Sequence, residues 1–347
     1  MKELLIKEDR FMENKPPVRL VYILSASHSG STLLAMLLGS HTNIVTVGEL
    51  KATNLGDINR YRCSCGALIQ QCEFWNQVRQ VMREEGYSFD IANTSTDFFG
   101  INSAYVRYLL RPLVRGPILE GLRDLALKIS PIWRRSLTSI QKQNLALIRI
   151  VCRLANARVI VDSSKIGLRL KYLLQNPELD IKIIRLIRDG RAVAMTYTDP
   201  AGFADSENPE LRAGGMGGNR DSEKMSINQA AREWRRSNEE AQQILARVPS
   251  DRWIEIRYEH LCRNSEATLA RIFRFIGVEP HSAVKAFRSK AMHVLGNGMR
   301  LDSCNEIKVD QRWKQQMTSH QLAQFEAIAG TLNQRYGYHK SNTEVNT

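Results

Sequence analysis

Two short stretches hold the residues best suited to bind and move a charged group: Ser25-Ala26-Ser27-His28-Ser29-Gly30-Ser31-Thr32-Leu33-Leu34 and Arg188-Asp189-Gly190-Arg191-Ala192-Val193-Ala194-Met195-Thr196. The first follows the apolar run 20–24 and opens an apolar helical segment. A strand, a tight turn and a helix start leave free backbone N–H groups and the positive end of the helix dipole facing one point, which favours an anion. Ser29, Ser31 and Thr32 add hydroxyl donors, and Gly30 lets the backbone approach closely. The second stretch follows the β-like run 181–187 and puts Arg188 where its guanidinium can fork another phosphate. Two phosphate grips in one chain imply a ligand phosphorylated at both ends.

What the first loop lacks is also informative. A nucleoside-triphosphate loop reads G-x-x-x-x-G-K-[ST], with the Lys on the β and γ phosphates and the hydroxyl on Mg2+. Here Ser31 follows Gly30, so that Lys is missing. A phosphosulfate carries less charge than a triphosphate tail and can be held without a metal. These residues resemble the sulfotransferases that use 3′-phosphoadenosine 5′-phosphosulfate (PAPS). Their 5′-phosphosulfate loop reads like [RK]-S-G-[ST]-T-x-L, and their 3′-phosphate motif is an Arg with a Ser or Thr eight residues later, a spacing that Arg188 and Thr196 keep. By this likeness His28, Ser29, Gly30, Ser31, Thr32 and Leu33 cradle the 5′ end, and Arg188 with Thr196 holds the 3′-phosphate.

The resemblance covers roughly 18–50 and 155–338, and 51–154 only weakly. Ile256-Arg257-Tyr258-Glu259-His260-Leu261 is similar to the family's R-Y-E-x-L strand end, where Tyr258 is either an adenine contact or an ordinary core tyrosine. Gly296-Asn297-Gly298-Met299-Arg300 and Arg312-Trp313 look like the loop that closes over the nucleotide in bacterial members, which makes Arg300 and Arg312 candidate nucleotide ligands. In the tyrosylprotein sulfotransferases a Glu 19 residues past the loop glycine acts as general base, and Glu49 stands at that offset from Gly30. Sulfonate transfer needs such a base, and cations for the charge that develops on the leaving group. Lys165, at the end of a buried strand, is placed to reach the bridging oxygen, as a family Lys often is. His28 departs from the family's Arg or Lys. Its reading here is a cation favoured by the neighbouring polyanion, with the general base as the other role open to it.

The resemblance thus implies a PAPS-dependent sulfotransferase needing no metal for the transfer. The acceptor is a hydroxyl, or an amine, on a small molecule, glycan, lipid or peptide. The rivals are a kinase on the same P-loop scaffold, which would need ATP and Mg2+, and a nucleotide-binding protein of this fold without turnover.

Around these residues the elements alternate: strands at 18–24, 44–47, 159–162, 181–187 and 253–258, with helices between most of them. That pattern predicts an α/β fold, a P-loop-type parallel sheet flanked by helices. Leu269, Ile272, Phe273 and Ile276 mark one helix face, which Asn264 or Ser265 can cap and Gly277 can end. The chain reads as a single domain over 1–347. Residues 51–156 form a Cys-containing and basic helical insertion, its helices broken by Pro112, Pro117 and Pro131. Residues 199–226, rich in Gly, form a long loop that is either a lid over the acceptor site or disordered.

The formal charge is +13, and residues 101–160 hold eleven Arg or Lys against Glu120 and Asp124. That stretch is either a solvated helical face or a surface that attracts an acidic acceptor. No nucleic-acid module is repeated in it, and nucleic acid is not expected as a partner. No apolar run approaches the ~20 residues that span a bilayer. Residues 1–17 mix charges and lack the apolar core of a secretory signal, so a soluble, cytoplasmic chain is expected. Cys63-x-Cys65-x6-Cys72, followed by Trp75, is similar to text in bacterial relatives. Free structural thiols are the default there and no metal is assigned, although a disulfide or Zn2+ with a fourth ligand stays open. Cys152, Cys262 and Cys304 read as packing residues.

Overall fold

The computed structural model describes residues 18–51, 55–111, 116–217, 220–281, 287–290 and 292–339. The expectations placed on 1–17, Pro112 and Gly218 lie outside the described residues. Strands β1 (Val18–Ser25), β2 (Ile44–Thr46), β3 (Val159–Lys165), β4 (Leu179–Ile187) and β5 (Trp253–Arg257) form one sheet in the order β2-β3-β1-β4-β5. Every pairing is parallel. Around the sheet pack α1 (Ser31–Gly39), α2 (Glu73–Glu84), α3 (Gly116–Ile129), α4 (Pro131–Leu154), α5 (Gly167–Leu173), α6 (Gly190–Thr198), α7 (Ile227–Leu245) and α8 (Ser265–Ile276), with shorter turns between them.

Side chains alternate across a strand, so an apolar run covered on both sides must feed two cores. Along β1, Leu20, Tyr22 and Leu24 enter one core while Val21 and Ile23 enter the other. The second core is closed by α1 through Leu34 and Leu37 and by α8 through Leu269, Ile272, Phe273 and Ile276, the face expected from their spacing. Gly277 ends α8 with φ 75°, as expected, but the Asn264 side chain makes no capping bond at its start. The first core is closed by α2, α3, α4 and α5 through Trp75, Leu127, Leu147 and Leu170. The described residues of 51–156 therefore contribute a covering layer on the sheet. Within that layer Pro131 begins α4 instead of breaking it, after Ser130 accepts a capping bond from the Trp133 N–H.

Two further stretches gain detail in three dimensions. The basic stretch does not present a charged outer face along α3. Arg123 is buried and paired with Glu120 and Asp124, while Ile118 and Ile129 are 78% and 68% exposed. The described part of 199–226 is packed into short turns. The Arg62 N–H donates to the Gly214 carbonyl at 2.8 Å, and Asp205 accepts from the Ala213 N–H at 3.0 Å and from Arg220 at 3.2 Å.

A buried polar network joins the covering layer to the sheet. Asp162 of β3 accepts from the Leu50 N–H at 3.2 Å, the Ser164 N–H at 2.8 Å and the Ser164 hydroxyl at 2.5 Å. Arg169 of α5 pairs with its other oxygen at 3.2 Å, and both side chains are fully buried. The same guanidinium donates to the Thr96 carbonyl and to Asn144 of α4, each at 2.7 Å. Removing one partner of such a pair strands a charge in the interior, at a cost of about 3–5 kcal/mol. Arg169→Met should therefore lower the unfolding free energy measured in urea by that amount. A loss in the range of an exposed pair, about 0–1 kcal/mol, would contradict the role given to this network.

Candidate active site

The carboxyl ends of the five strands line up the expected residues in sheet order, not chain order. Glu49 follows β2, Lys165 ends β3, the loop 26–30 follows β1, Arg188 follows β4 and Tyr258 follows β5. This is the edge at which open parallel sheets bind ligands. β3 runs on to Lys165, three residues past its expected end, while β5 stops at Arg257 so that Tyr258 begins a helical turn.

The loop is shaped for an anion. Gly30 caps α1 with φ 88° and no side-chain capping bond, so the amides of the first turn keep their donors. Position 30 must be glycine for a second reason: a Cβ there would sit 2.5 Å from the ring of Tyr258. The hydroxyls of Ser25 and Ser29 are buried without a hydrogen-bond partner among the described residues. A buried polar group in that state costs about 1–3 kcal/mol, which a bound oxyanion would recover. Leu33 packs its side chain into the core and offers only its amide. His28 and Lys165, neither of them glycine, have φ of 60° and 69°, strain that tends to collect at functional sites.

Arg188 touches that loop directly. It donates to the His28 carbonyl at 2.7 Å and to Asp310 at 2.9 Å, and it lies 4.6 Å over the Tyr258 ring. Its Nε is buried with no hydrogen-bond partner among the described residues. Burial acts to raise the Asp310 carboxyl, but hydrogen bonds from Arg312 and the charge of Arg188 outweigh it and hold the group at about 2. Thr196, buried on α6, donates its hydroxyl to the Ala192 carbonyl at 2.8 Å. A hydroxyl has one proton to donate, so binding a phosphate there means giving up that bond.

Glu49 and Lys165 form an ion pair, with Lys51 3.7 Å from the second carboxylate oxygen. Burial pushes the Glu49 carboxyl up, yet the charges of Lys165 and Lys51 prevail and leave it below the usual range. The pair is set by backbone constraints on both sides. Gly48 has φ 80°, accepts from the Ser163 N–H at 3.0 Å and lies so close to Leu295 that a Cβ would come within 2.1 Å of its carbonyl oxygen. On the other side the Leu50 N–H is held by Asp162.

Three of the expected residues have other surroundings in the ligand-free protein. His28 is not a cation in the ligand-free protein. Burial depresses its imidazole, and Arg220, Lys165 and Arg188 add repulsion, down to about 3. A value that low also makes a weak general base. Arg300, 2% exposed, is spent on architecture: it donates to the carbonyls of Val294, Gly296 and Asn297 at 2.8, 2.8 and 3.1 Å and to that of Arg62. Arg312 binds Asp310 and the Gly202 and Phe203 carbonyls, so it reaches Arg188 only through Asp310. Two residues of the edge, Asp310 and Arg220, were not foreseen. Asp310 lies 122 positions from its partner Arg188, and no short motif spans such a gap.

Residues 171–282 match a family model described as "Sulfotransferase family". The chain is 24% identical over 179 residues to carbohydrate sulfotransferase 5 of Mus musculus, covering 50% of this chain and 45% of that one. It is 24% identical over 204 residues to carbohydrate sulfotransferase 6 of Homo sapiens, covering 57% and 52%. It spans about half the length of these curated relatives. Among solved structures it is similar to the sulfotransferase domain of the curacin biosynthetic pathway, with 17% identity, a TM-score of 0.48 and coverage of 92% of this chain and 98% of that one. A second is the sulfotransferase domain of the Synechococcus PCC 7002 olefin synthase, with 18% identity, a TM-score of 0.45 and coverage of 94% and 98%. The matched stretch, which carries Arg188, Thr196 and Tyr258, is similar to the sulfotransferase family.

Proposed function

We propose that the carboxyl edge of this sheet transfers a sulfonate group from PAPS to the hydroxyl of an acceptor. The observation that carries this reading is the contact of Arg188 with the phosphate loop. A buried guanidinium from the end of β4 donates to the His28 carbonyl at 2.7 Å, so two anion-seeking elements line one continuous site. The likeness of residues 171–282 to the sulfotransferase family favours the same donor. A triphosphate donor finds Ser31 where its loop lysine should stand.

The donor supplies a sulfonate already activated by its 5′-phosphate leaving group. Ser29 and the amides of 30–33 hold that phosphate, and Arg188 exchanges Asp310 for the 3′-phosphate, with Thr196 as its partner. Lys165 turns from Glu49 to the bridging oxygen and balances the charge that grows there. Glu49 loses its strongest opposing charge in that exchange, so burial raises its basicity when a base is needed. It then takes the acceptor proton as the new oxygen–sulfur bond forms and the bond to the leaving phosphate breaks. Among acceptor classes, the relatives' names put a carbohydrate hydroxyl first.

Arg188→Ala should weaken binding of 3′,5′-diphosphoadenosine, measured by calorimetry, by about 1.5–3 kcal/mol, or roughly 10- to 150-fold. Binding of 5′-AMP should change little, and equal losses for the two ligands would contradict the assignment. Glu49→Gln should leave nucleotide affinity intact and slow label transfer to the acceptor by about 100-fold or more. Full transfer by that variant would place the base elsewhere. By NMR the His28 ring should stay neutral down to about pH 3 in the ligand-free protein and titrate at a higher pH once 3′,5′-diphosphoadenosine is bound. Because the unfolded chain takes up this proton near 6.5 and the folded one only near 3, His28 also lowers stability as pH falls through that window. An imidazole that titrates normally without ligand would contradict the burial assigned to it.

A further inference from the structure

Far from the phosphate loop in sequence, three thiols and one imidazole converge. Cys65 Sγ lies 3.7 Å from Cys72 Sγ, and His293 Nδ1 lies 3.3 Å from Cys72 Sγ and 3.6 Å from Cys63 Sγ. All four ligand atoms lie within 4.8 Å of one another. The cysteines are free, so the disulfide reading of this cluster is not what the chain adopts. A disulfide would in any case leave the third sulfur unpaired beside the imidazole.

We propose that Cys63, Cys65, Cys72 and His293 bind one Zn2+ ion in a closed tetrahedral site. Bond lengths of about 2.3 Å to sulfur and 2.0–2.1 Å to nitrogen give tetrahedron edges of about 3.8 Å between sulfurs and 3.6 Å between sulfur and nitrogen. The separations in the cluster are of that size. Three thiolates and an imidazole suit zinc, while magnesium and calcium prefer oxygen. The imidazole is oriented before any ion arrives. Phe74 stacks on it with ring centres 4.4 Å apart and planes 4° from parallel. Ser64 donates to the Met292 carbonyl at 2.5 Å and accepts from the Val294 N–H at 2.8 Å, clasping both neighbours of His293. Contacts of this kind fix ligand geometry around a metal. The turn that carries the thiols closes through Cys63 N–H to the Ala67 carbonyl and Gly66 N–H to the Cys63 carbonyl, each at 2.9 Å.

Four protein ligands leave no open position, so the ion is structural. It joins the turn at 63–72 to the segment that follows His293. In that segment the Leu295 N–H donates to the Val47 carbonyl at 2.9 Å, and the Gly296 N–H donates to the Tyr61 hydroxyl at 2.8 Å. The ion therefore braces the strand end that presents Glu49, whatever reaction that edge carries out. Sequence spacing alone does not reveal the site, because His293 lies 221 positions from Cys72.

Metal analysis of the full chain produced with zinc supplied should find about one zinc per chain. The Cys65→Ser variant, at the exposed ligand, should lose most of it, and Cys304→Ser should keep it. His293→Cys should retain zinc, which separates loss of a ligand from loss of fold. Cobalt exchanged into the wild-type protein should give the intense visible bands of tetrahedral thiolate coordination, and chelation of the zinc should lower Tm. Zinc in the wild type no higher than in Cys65→Ser, or an octahedral cobalt spectrum, would overturn the proposal.

Discussion

A buried carboxylate holds the edge of this sheet in register. Asp162 closes β3 onto the strand end after β2 by accepting from the Leu50 N–H, and its second oxygen is tied to Arg169. Glu49 is the residue before Leu50, and Lys165 follows Ser164, whose N–H and hydroxyl are held by the same carboxylate. Without that anchor, the paired Glu49 and Lys165 would sit on chain ends free to drift. The charge is kept inside because every oxygen has a donor, the condition under which a buried ion is tolerated.

The same logic of balanced charge runs along the whole edge. Lys165 is matched by Glu49, Arg188 by Asp310, and Arg220 by Asp205 and Glu223. These internal carboxylates keep the cations compensated while no ligand is present. Under the proposed reaction a ligand with phosphates on both ribose positions takes over two of the partnerships, which releases Glu49 and Asp310. His28 fits this arrangement as a neutral member. A fourth positive charge beside Arg220, Lys165 and Arg188 is unfavourable until an anion enters.

Much of the framework was legible in the residues. The apolar run 20–24 in β1 and the apolar-rich run 181–187 in β4 read as strands, and the spacing of Leu269, Ile272, Phe273 and Ile276 marked the inner face of α8. The loop was readable because a glycine among hydroxyl residues directly after a strand has one geometric use. Pairings across long separations were not readable. Asp310 on Arg188, the Asp162 network and His293 beside three cysteines depend on which strand ends meet, and no local pattern encodes that. Arg300 is a related case: its place in the text resembles that of a nucleotide ligand, while four backbone carbonyls accept from it in the fold. On α3 a count of charges missed that Arg123 is turned inward and leaves isoleucines outside.

The most direct test is a crystal structure of the protein with 3′,5′-diphosphoadenosine. The account predicts the 5′-phosphate on the amides that follow Ser29 and the 3′-phosphate on Arg188, with Asp310 displaced. A nucleotide bound away from this edge, or one that leaves the Arg188–Asp310 pair intact beside it, would contradict the account.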